Sequence, residues 1–254
     1  MKPRLVYGIQ AVGHVLRRPG DQVEAVYLDE TIGRRRLERI NSLLGSGRVT
    51  VHRVPTARLD ELTGTSKHQG VAAMVHIAPV LNEEQALAML AGVDNPLVVL
   101  LDGVQDPRNF GSILRTANGA GADLVVVGRS RNVAITPVVS KVAAGAAELQ
   151  PVAEVANLAR FMSALKQTGL WLIGTAEKAE QGLFDADLCG SVAVVLGAEG
   201  QGLRRLTRER CDFVVSVPMC GEVDSLNVAV WAGVVLYEAV RQRRERLAPD
   251  TGLR

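Results

Sequence analysis

An α/β fold is what this sequence predicts, and three observations carry the prediction. Apolar runs of strand length alternate with helix-period segments along the chain. Residues 97–101 (LVVLL) are apolar at every position, as in a strand buried on both faces. Three polar, glycine-bearing loops each follow an apolar strand. In a parallel sheet such loops gather at the carboxyl edge, where open α/β sheets hold ligands.

The first part, residues 1–77, reads as helix 9–17, strand 23–28, helix 34–44, strand 49–54, helix 56–63 and strand 71–77, a small α/β unit. It holds 12 Lys and Arg against 7 Asp and Glu, a net +5, whereas the remainder carries −3. A basic first third on a slightly acidic body points to a polyanionic partner, or else to a solvated surface. Arg34, Arg35 and Arg36, with Arg39, give the second helix a cationic face. The polar loop 65–70 carries Lys67 and His68, and reads either as a phosphate or sugar contact or as an ordinary turn. Arg34, Arg35, Arg36, Lys67 and His68 are therefore the candidate residues for binding a polyanion.

Residues 78–96 are bounded by proline-containing breaks and read as a linker, with a short helix over 82–90 and Asn82 as its N-cap. From 97 to 246 the α/β pattern strengthens. Strands are expected at 97–101, 124–127, 170–174, 192–196 and 213–217. Helices are expected near 111–120, after Pro137, over 158–167, around 203–208 and from 226 to about 244. Residues 247–254 read as a frayed tail.

Composition excludes several classes. With 47% hydrophobic and 22% charged residues among 254, the chain has the make-up of a soluble globular protein. No apolar run approaches the roughly 20 residues that span a bilayer. The start shows no export signal, and the three cysteines have no C-x-x-C spacing, so a reducing cytoplasm is expected. Neither cysteines nor the four histidines show a metal spacing, and no metal is expected. There is no strand–GxGxxG–helix fingerprint and no P-loop, which argues against a nucleotide-dependent oxidoreductase.

The three loops are where chemistry concentrates. Residues 101–117 (LDGVQDPRNFGSILRTA) lead into a helix carrying Asn109 and Arg115. If Asn109 caps that helix, Arg115 lies nearly two turns further along. An arginine beside Leu114 and Ala117 needs an anionic partner or access to water. Residues 196–203 (LGAEGQGL) set Glu199 among glycines that permit close backbone approach to a ligand. Residues 213–229 (FVVSVPMCGEVDSLNVA) break at Pro218, turn at Gly221, and present Ser225 and Asn227 before the last helix.

Together, NFGSILRTA at 109–117, LGAEGQGL at 196–203 and VPMCGEVDSLNVAV at 217–230 resemble the three ordered motifs of the SpoU (TrmH-type, SPOUT class) RNA ribose 2′-O-methyltransferases. The resemblance covers about residues 97–244. Tyr7-Gly8-Ile9 and His68-Gln69-Gly70-Val71 are similar to the substrate-binding domain that precedes the catalytic domain in many members. The resemblance implies a parallel sheet with a C-terminal deep trefoil knot, preceded by a small α/β RNA-binding domain. It implies S-adenosyl-L-methionine as methyl donor, touched by Thr175, Ala176, Gly197, Val217, Met219 and Leu226. It implies a homodimer with the active site near its interface, the last helix (Val228, Trp231, Val235, Val240) being the candidate interface element. Arg115 would be the catalytic arginine, Asn109 and Glu199 would orient it and the ribose, and Ser225 and Asn227 would complete the pocket. Full-length resemblance is to members acting on a guanosine of 23S ribosomal RNA. The alternatives are the same chemistry on transfer RNA and a non-enzymatic RNA-binding protein of this fold. Family members commonly carry serine where this chain has Ala229, which contributes no side-chain hydrogen bond. Cys220 reads as structural.

Overall fold

The computed structural model describes residues 3–17, 23–44, 49–76, 80–130 and 134–247. The chain forms two compact units, Met1–Pro79 with Ala134–Leu149, and Val80–Val133 with Gln150–Arg254.

The smaller unit begins with β1 (Arg4–Tyr7), α1 (Ile9–Leu16), β2 (Val23–Asp29), α2 (Arg34–Leu44), β3 (Thr50–Val54), α3 (Thr56–Thr63) and β4 (Val71–Val75). Its sheet order is β1-β4-β2-β3. Here β4 runs antiparallel to both neighbours and β2 parallel to β3. Alternation along the strands divides the apolar residues between two faces. Val6, Val26, Leu28 and Val71 pack with Val12 of α1 and Ile40 of α2, and Tyr7 and Ala72 pack with Leu59 of α3.

The larger unit opens with α4 (Glu83–Leu90), β5 (Leu97–Asp102), α5 (Pro107–Gly119) and β6 (Leu124–Gly128). The chain then contributes α6 (Pro137–Ala143) to the smaller unit. A Cβ on Gly145, just after α6, would lie 2.6 Å from the Cβ of His14, so glycine is what permits that approach to α1. The larger unit resumes with β7 (Val152–Val155), α7 (Leu158–Gln167), β8 (Trp171–Thr175), β9 (Gln181–Gly182), β10 (Val192–Gly197), α8 (Arg205–Arg210), β11 (Phe213–Ser216) and α9 (Val228–Leu247). Its sheet order is β7-β6-β5-β10-β8-β11-β9, and all six pairings are parallel. Val98 and Leu100 face a core completed by Phe161, Met162 and Leu165 of α7. Val99 and Leu101 point to the opposite face, where α5 and α9 pack on each other. Strand order reverses at β5 and β10, with β6 and β7 on one side and β8, β11 and β9 on the other. The loops leaving β5 and β10 therefore part at their carboxyl ends, which opens a crevice there.

Three short strands escape the sequence reading: β1, β7 and β9, of 4, 4 and 2 residues. Runs this short carry too little alternation to register. The expected strand end at Ile77 lies outside the described residues, as does the tail from 248 onward. Residues 80–96 are integral to the larger unit, since Leu81 accepts from Glu154 N–H at 2.9 Å and donates to Val152 C=O at 2.8 Å. Within them Asn82 caps α4 as expected, in a reciprocal box with Gln85.

The last turns of α9 are tied by Glu238, which accepts from Arg241 Nη2 at 2.7 Å and Nε at 2.8 Å and from Gln242 Nε2 at 2.8 Å. Gln242 in turn donates to Ala186 C=O and accepts from Leu188 N–H. The hydrogen bonds from Arg241 hold the Glu238 carboxyl below its usual range. Its contribution is complete above the unfolded carboxylate value of about 4.3 and is lost as pH falls through the lowered folded value. Glu238→Gln is expected to lower the urea midpoint at pH 7 and to make its decline toward pH 3.5 shallower than in the unsubstituted chain. Urea titrations at the two pH values measure both.

Candidate active site

The crevice is built from backbone constraints first. β10 ends at Gly197, and the chain doubles back so that Ala198 and Gly202 exchange N–H to C=O bonds of 3.1 and 2.8 Å. A Cβ on Gly197 would fall 2.2 Å from the carbonyl carbon of Gly202, so no other residue fits without moving the loop. The far end of the loop is clamped by Asp102, the last residue of β5, which is 1% exposed. Its Oδ2 accepts from the Arg204 backbone N–H at 2.9 Å, and Oδ1 lies 3.3 Å from Arg204 Nε. A buried carboxylate is tolerated when charge and hydrogen bonds both answer it, as here.

Onto this frame the first turn of α5 and two loops bring three side chains. Asn109 Nδ2 donates to Glu199 Oε2 at 3.1 Å, Asn227 Nδ2 donates to Glu199 Oε1 at 3.2 Å, and Asn227 Nδ2 also donates to Asn109 Oδ1 at 3.1 Å. The three form a closed ring although Asn109 and Asn227 are 118 positions apart. Asn227 also caps α9, its Oδ1 accepting from Ala229 N–H at 2.9 Å. Asn109 is not a cap. That place is taken by Asp106, which accepts from Arg108 N–H at 2.6 Å ahead of Pro107. Proline is favoured at the first helical position, so α5 begins earlier than its apolar pattern suggested.

Beside the ring lies a cavity of about 170 Å³. Of the residues expected to touch a donor, Thr175, Ala176, Gly197 and Leu226 line it, together with Glu199, Ser225 and Asn227. Val217 and Met219 are half-buried in the segment after β11 and do not line it. The Thr175 hydroxyl donates to Val195 C=O at 3.2 Å, so this side chain ties two strands and presents a wall. Arg115 stands apart. It is exposed on α5, about 9 Å along the helix and about 120° around it from Asn109, outside the ring and the cavity. Two residues that sequence reading did not place at the site are Trp231, which it assigned to the interface helix, and Asp102. Trp231 lines the cavity from inside α9, where its apolar spacing marks only a core position. Asp102 closes an apolar strand, a place where a polar residue carries no signal of its own.

On α9, Val228, Trp231 and Val235 are buried within the chain itself, so they are core positions and not a free face. The exposed apolar side chains there are Val230, Tyr237 and, at the helix end, Leu247. In the smaller unit Arg34, Arg35, Arg36 and Lys67 are exposed, with Arg34 paired to Glu38 at 2.9 Å. His68 corrects the sequence reading. It is 3% exposed, its Nδ1 accepts from Gly70 N–H at 3.0 Å, and its Nε2 lies 3.2 Å from Asp60 Oδ1. It pins the 65–70 loop from inside and cannot meet a large polyanion. Burial pushes the Cys211 thiol up to about 12, while Cys220 is exposed. Among the described residues no cluster of three or more His, Cys, Asp or Glu is placed to hold a metal, and no helix is long and apolar enough to cross a membrane.

Residues 96–237 match the SpoU rRNA methylase family, and residues 5–80 match the RNA 2′-O ribose methyltransferase substrate-binding family. The 23S rRNA (guanosine-2′-O-)-methyltransferase RlmB of Pseudomonas putida is 45% identical over 94% of this chain and 96% of its own length. The protein of the same description from Vibrio cholerae is 46% identical over 96% and 98%. Among solved structures, the SpoU methyltransferase AviRb from Streptomyces viridochromogenes, in complex with AdoMet, aligns with a TM-score of 0.78 at 26% identity, covering 95% of this chain and 90% of that one.

Gly197→Ala is expected to destabilise the chain by about 1–3 kcal/mol, the usual penalty for overpacking, with the strain concentrated in residues 198–203. Thermal unfolding and amide exchange across that loop measure it.

Proposed function

The chain belongs to the SpoU rRNA methylase family, and from that premise we propose that it transfers a methyl group from S-adenosyl-L-methionine to the ribose 2′-oxygen of a guanosine in 23S ribosomal RNA. The observation that carries this reading is the Asn109–Glu199–Asn227 ring on the wall of a cavity where three loops meet. Thr175, Ala176, Gly197, Ser225 and Leu226 would hold the donor, since they offer a lining largely of backbone and small side chains. When bound, the donor supplies a methyl group already activated by positive sulfur.

The work of the chain is positioning and charge stabilisation. Both Glu199 oxygens are engaged by asparagines, so the carboxylate keeps one orientation toward a ribose at the ring. Positioning of this kind lowers a barrier by about 7 kcal/mol or more in well-aligned cases. A guanidinium offers donors and positive charge and no acceptor, so the role of Arg115 is to stabilise developing negative charge on the 2′-oxygen or to clamp a neighbouring phosphate. Within one chain Arg115 is away from the ring. A homodimer that brings it to the partner's ring meets that requirement, and exposed Val230 and Tyr237 on α9 supply an apolar face for it. Residues 217–247 form a deep trefoil knot in this reading, against the general rule that chains do not thread. Supporting it, β11 lies between β8 and β9, and the chain then passes the ends of β8 and β10 before α9 packs on α5. RNA is held by the basic smaller unit through Arg34, Arg35, Arg36 and Lys67, and the reaction takes place in the cytoplasm.

Arg115→Lys keeps charge but loses the planar fork. Turnover is expected to fall by about 100-fold or more with donor affinity nearly intact, by tritium transfer and calorimetry respectively. Unchanged turnover removes Arg115 from the mechanism. Replacing Arg34, Arg35 and Arg36 together by alanine is expected to weaken RNA binding. The slope of log affinity against log salt should become shallower by about 0.7–0.9 for each phosphate that is no longer neutralised. An unaltered slope excludes that helix face from the RNA interface.

A further inference from the structure

The ring has two sides, and a cavity of about 270 Å³ occupies the one facing the loop that leaves β5. It is lined by Gln105, Asp106, Asn109 and Gln201. It shares Ala198, Glu199 and Val228 with the 170 Å³ cavity, so Glu199 forms part of the wall between them. Its volume is close to the roughly 300 Å³ at which small-molecule sites begin. Its lining is polar, and two of its amides, Gln105 and Gln201, are uncommitted. No described group engages the side chain of Gln105 or Gln201, although Asn109, Glu199 and Asn227 nearby are all tied into the ring. Asp106 uses Oδ1 to cap α5, which leaves Oδ2 as an acceptor.

We propose that this cavity receives the acceptor nucleoside and that Gln105 and Gln201 read its base. The inference rests on the methyl-transfer reading above and adds where the acceptor sits and what selects it. Transfer requires the 2′-oxygen to reach the methyl carbon directly, so the acceptor belongs in a cavity that adjoins the donor's, and the shared Ala198, Glu199 and Val228 make this cavity that neighbour. A carboxamide offers one donor and one acceptor side by side. Guanine presents the complementary pair on its Watson–Crick edge, O6 as acceptor and N1–H as donor, whereas adenine reverses both. An amide is free to turn over and satisfy either base. Asp106 breaks that tie, because a carboxylate only accepts and is repelled by the unprotonated N1 of adenine. Reading an unstacked base on its Watson–Crick edge is the usual route to sequence choice in RNA.

The test uses the full-length protein and 23S transcripts with guanosine or adenosine at the nucleotide that the unsubstituted chain methylates. The variants are Gln105→Ala with Gln201→Ala, and Asp106→Asn, which retains a cap. Each should raise KM for the guanosine transcript and reduce the guanosine-to-adenosine ratio of kcat/KM by about tenfold or more, the scale of one bidentate pairing with a base. Affinity for S-adenosyl-L-methionine by calorimetry should be unchanged, which a merely unfolded variant would not give. Undiminished base discrimination and KM in both variants, with the unsubstituted chain active, overturns the assignment of this cavity alone. An unsubstituted chain that methylates no ribosomal RNA overturns the methyl-transfer reading and this inference together.

Discussion

Glu199 between two asparagines is the interaction on which the carboxyl edge of the large sheet depends. The three side chains come from the first turn of α5, the loop after β10 and the segment before α9, and their mutual hydrogen bonds join all three. Each bond, being exposed, is worth on the order of 1 kcal/mol at most, so the ring contributes modestly to stability. Its larger effect is geometric. A carboxylate held at both oxygens cannot rotate, and the loops that carry its partners cannot drift independently.

The ring works only because the loops beneath it are already constrained. Gly197 admits a reversal that any Cβ would block, and Asp102 anchors the far end of that reversal from a fully buried strand terminus. The parallel sheet explains why such a strand can end in a charge. Its interior is apolar on both faces, but its carboxyl edge opens on polar loops, and Arg204 is there to answer the carboxylate. Rigid strands thus deliver backbone to fixed points, and short polar clamps convert those points into a site.

The smaller unit uses polar groups differently. His68 and Gln69 have the make-up of surface chemistry, yet His68 pins its own loop and Gln69 Oε1 accepts from Ile9 N–H at 2.9 Å at the start of α1. Lys67 and Gln69 are both exposed, but the Gln69 oxygen is committed to α1, which leaves Lys67 and the arginines of α2 to present charge. A basic unit whose histidine and glutamine serve its own fold presents charge without directional readout. Holding a polyanion requires the charge, whereas choosing a base requires directed polar groups like those beside the ring.

By itself the sequence determined the α/β class, most helices of both units, and the three loops that would meet if the strands ran parallel. These rest on local periodicity, on glycine and proline, and on motifs that are contiguous in the chain. Cavity residues Thr175, Gly197, Glu199, Ser225 and Asn227 were legible for the same reason, each lying within such a motif or at a strand end. Only the tertiary structure decided that Asp106 and not Asn109 caps α5, that residues 80–96 join the larger unit while 134–149 join the smaller, and that His68 is buried. It also decided that Val228, Trp231 and Val235 are core, and that Arg115 lies off the ring within one chain. Burial and partnership depend on residues tens of positions away, and periodicity carries no information about which distant element will cover a given face.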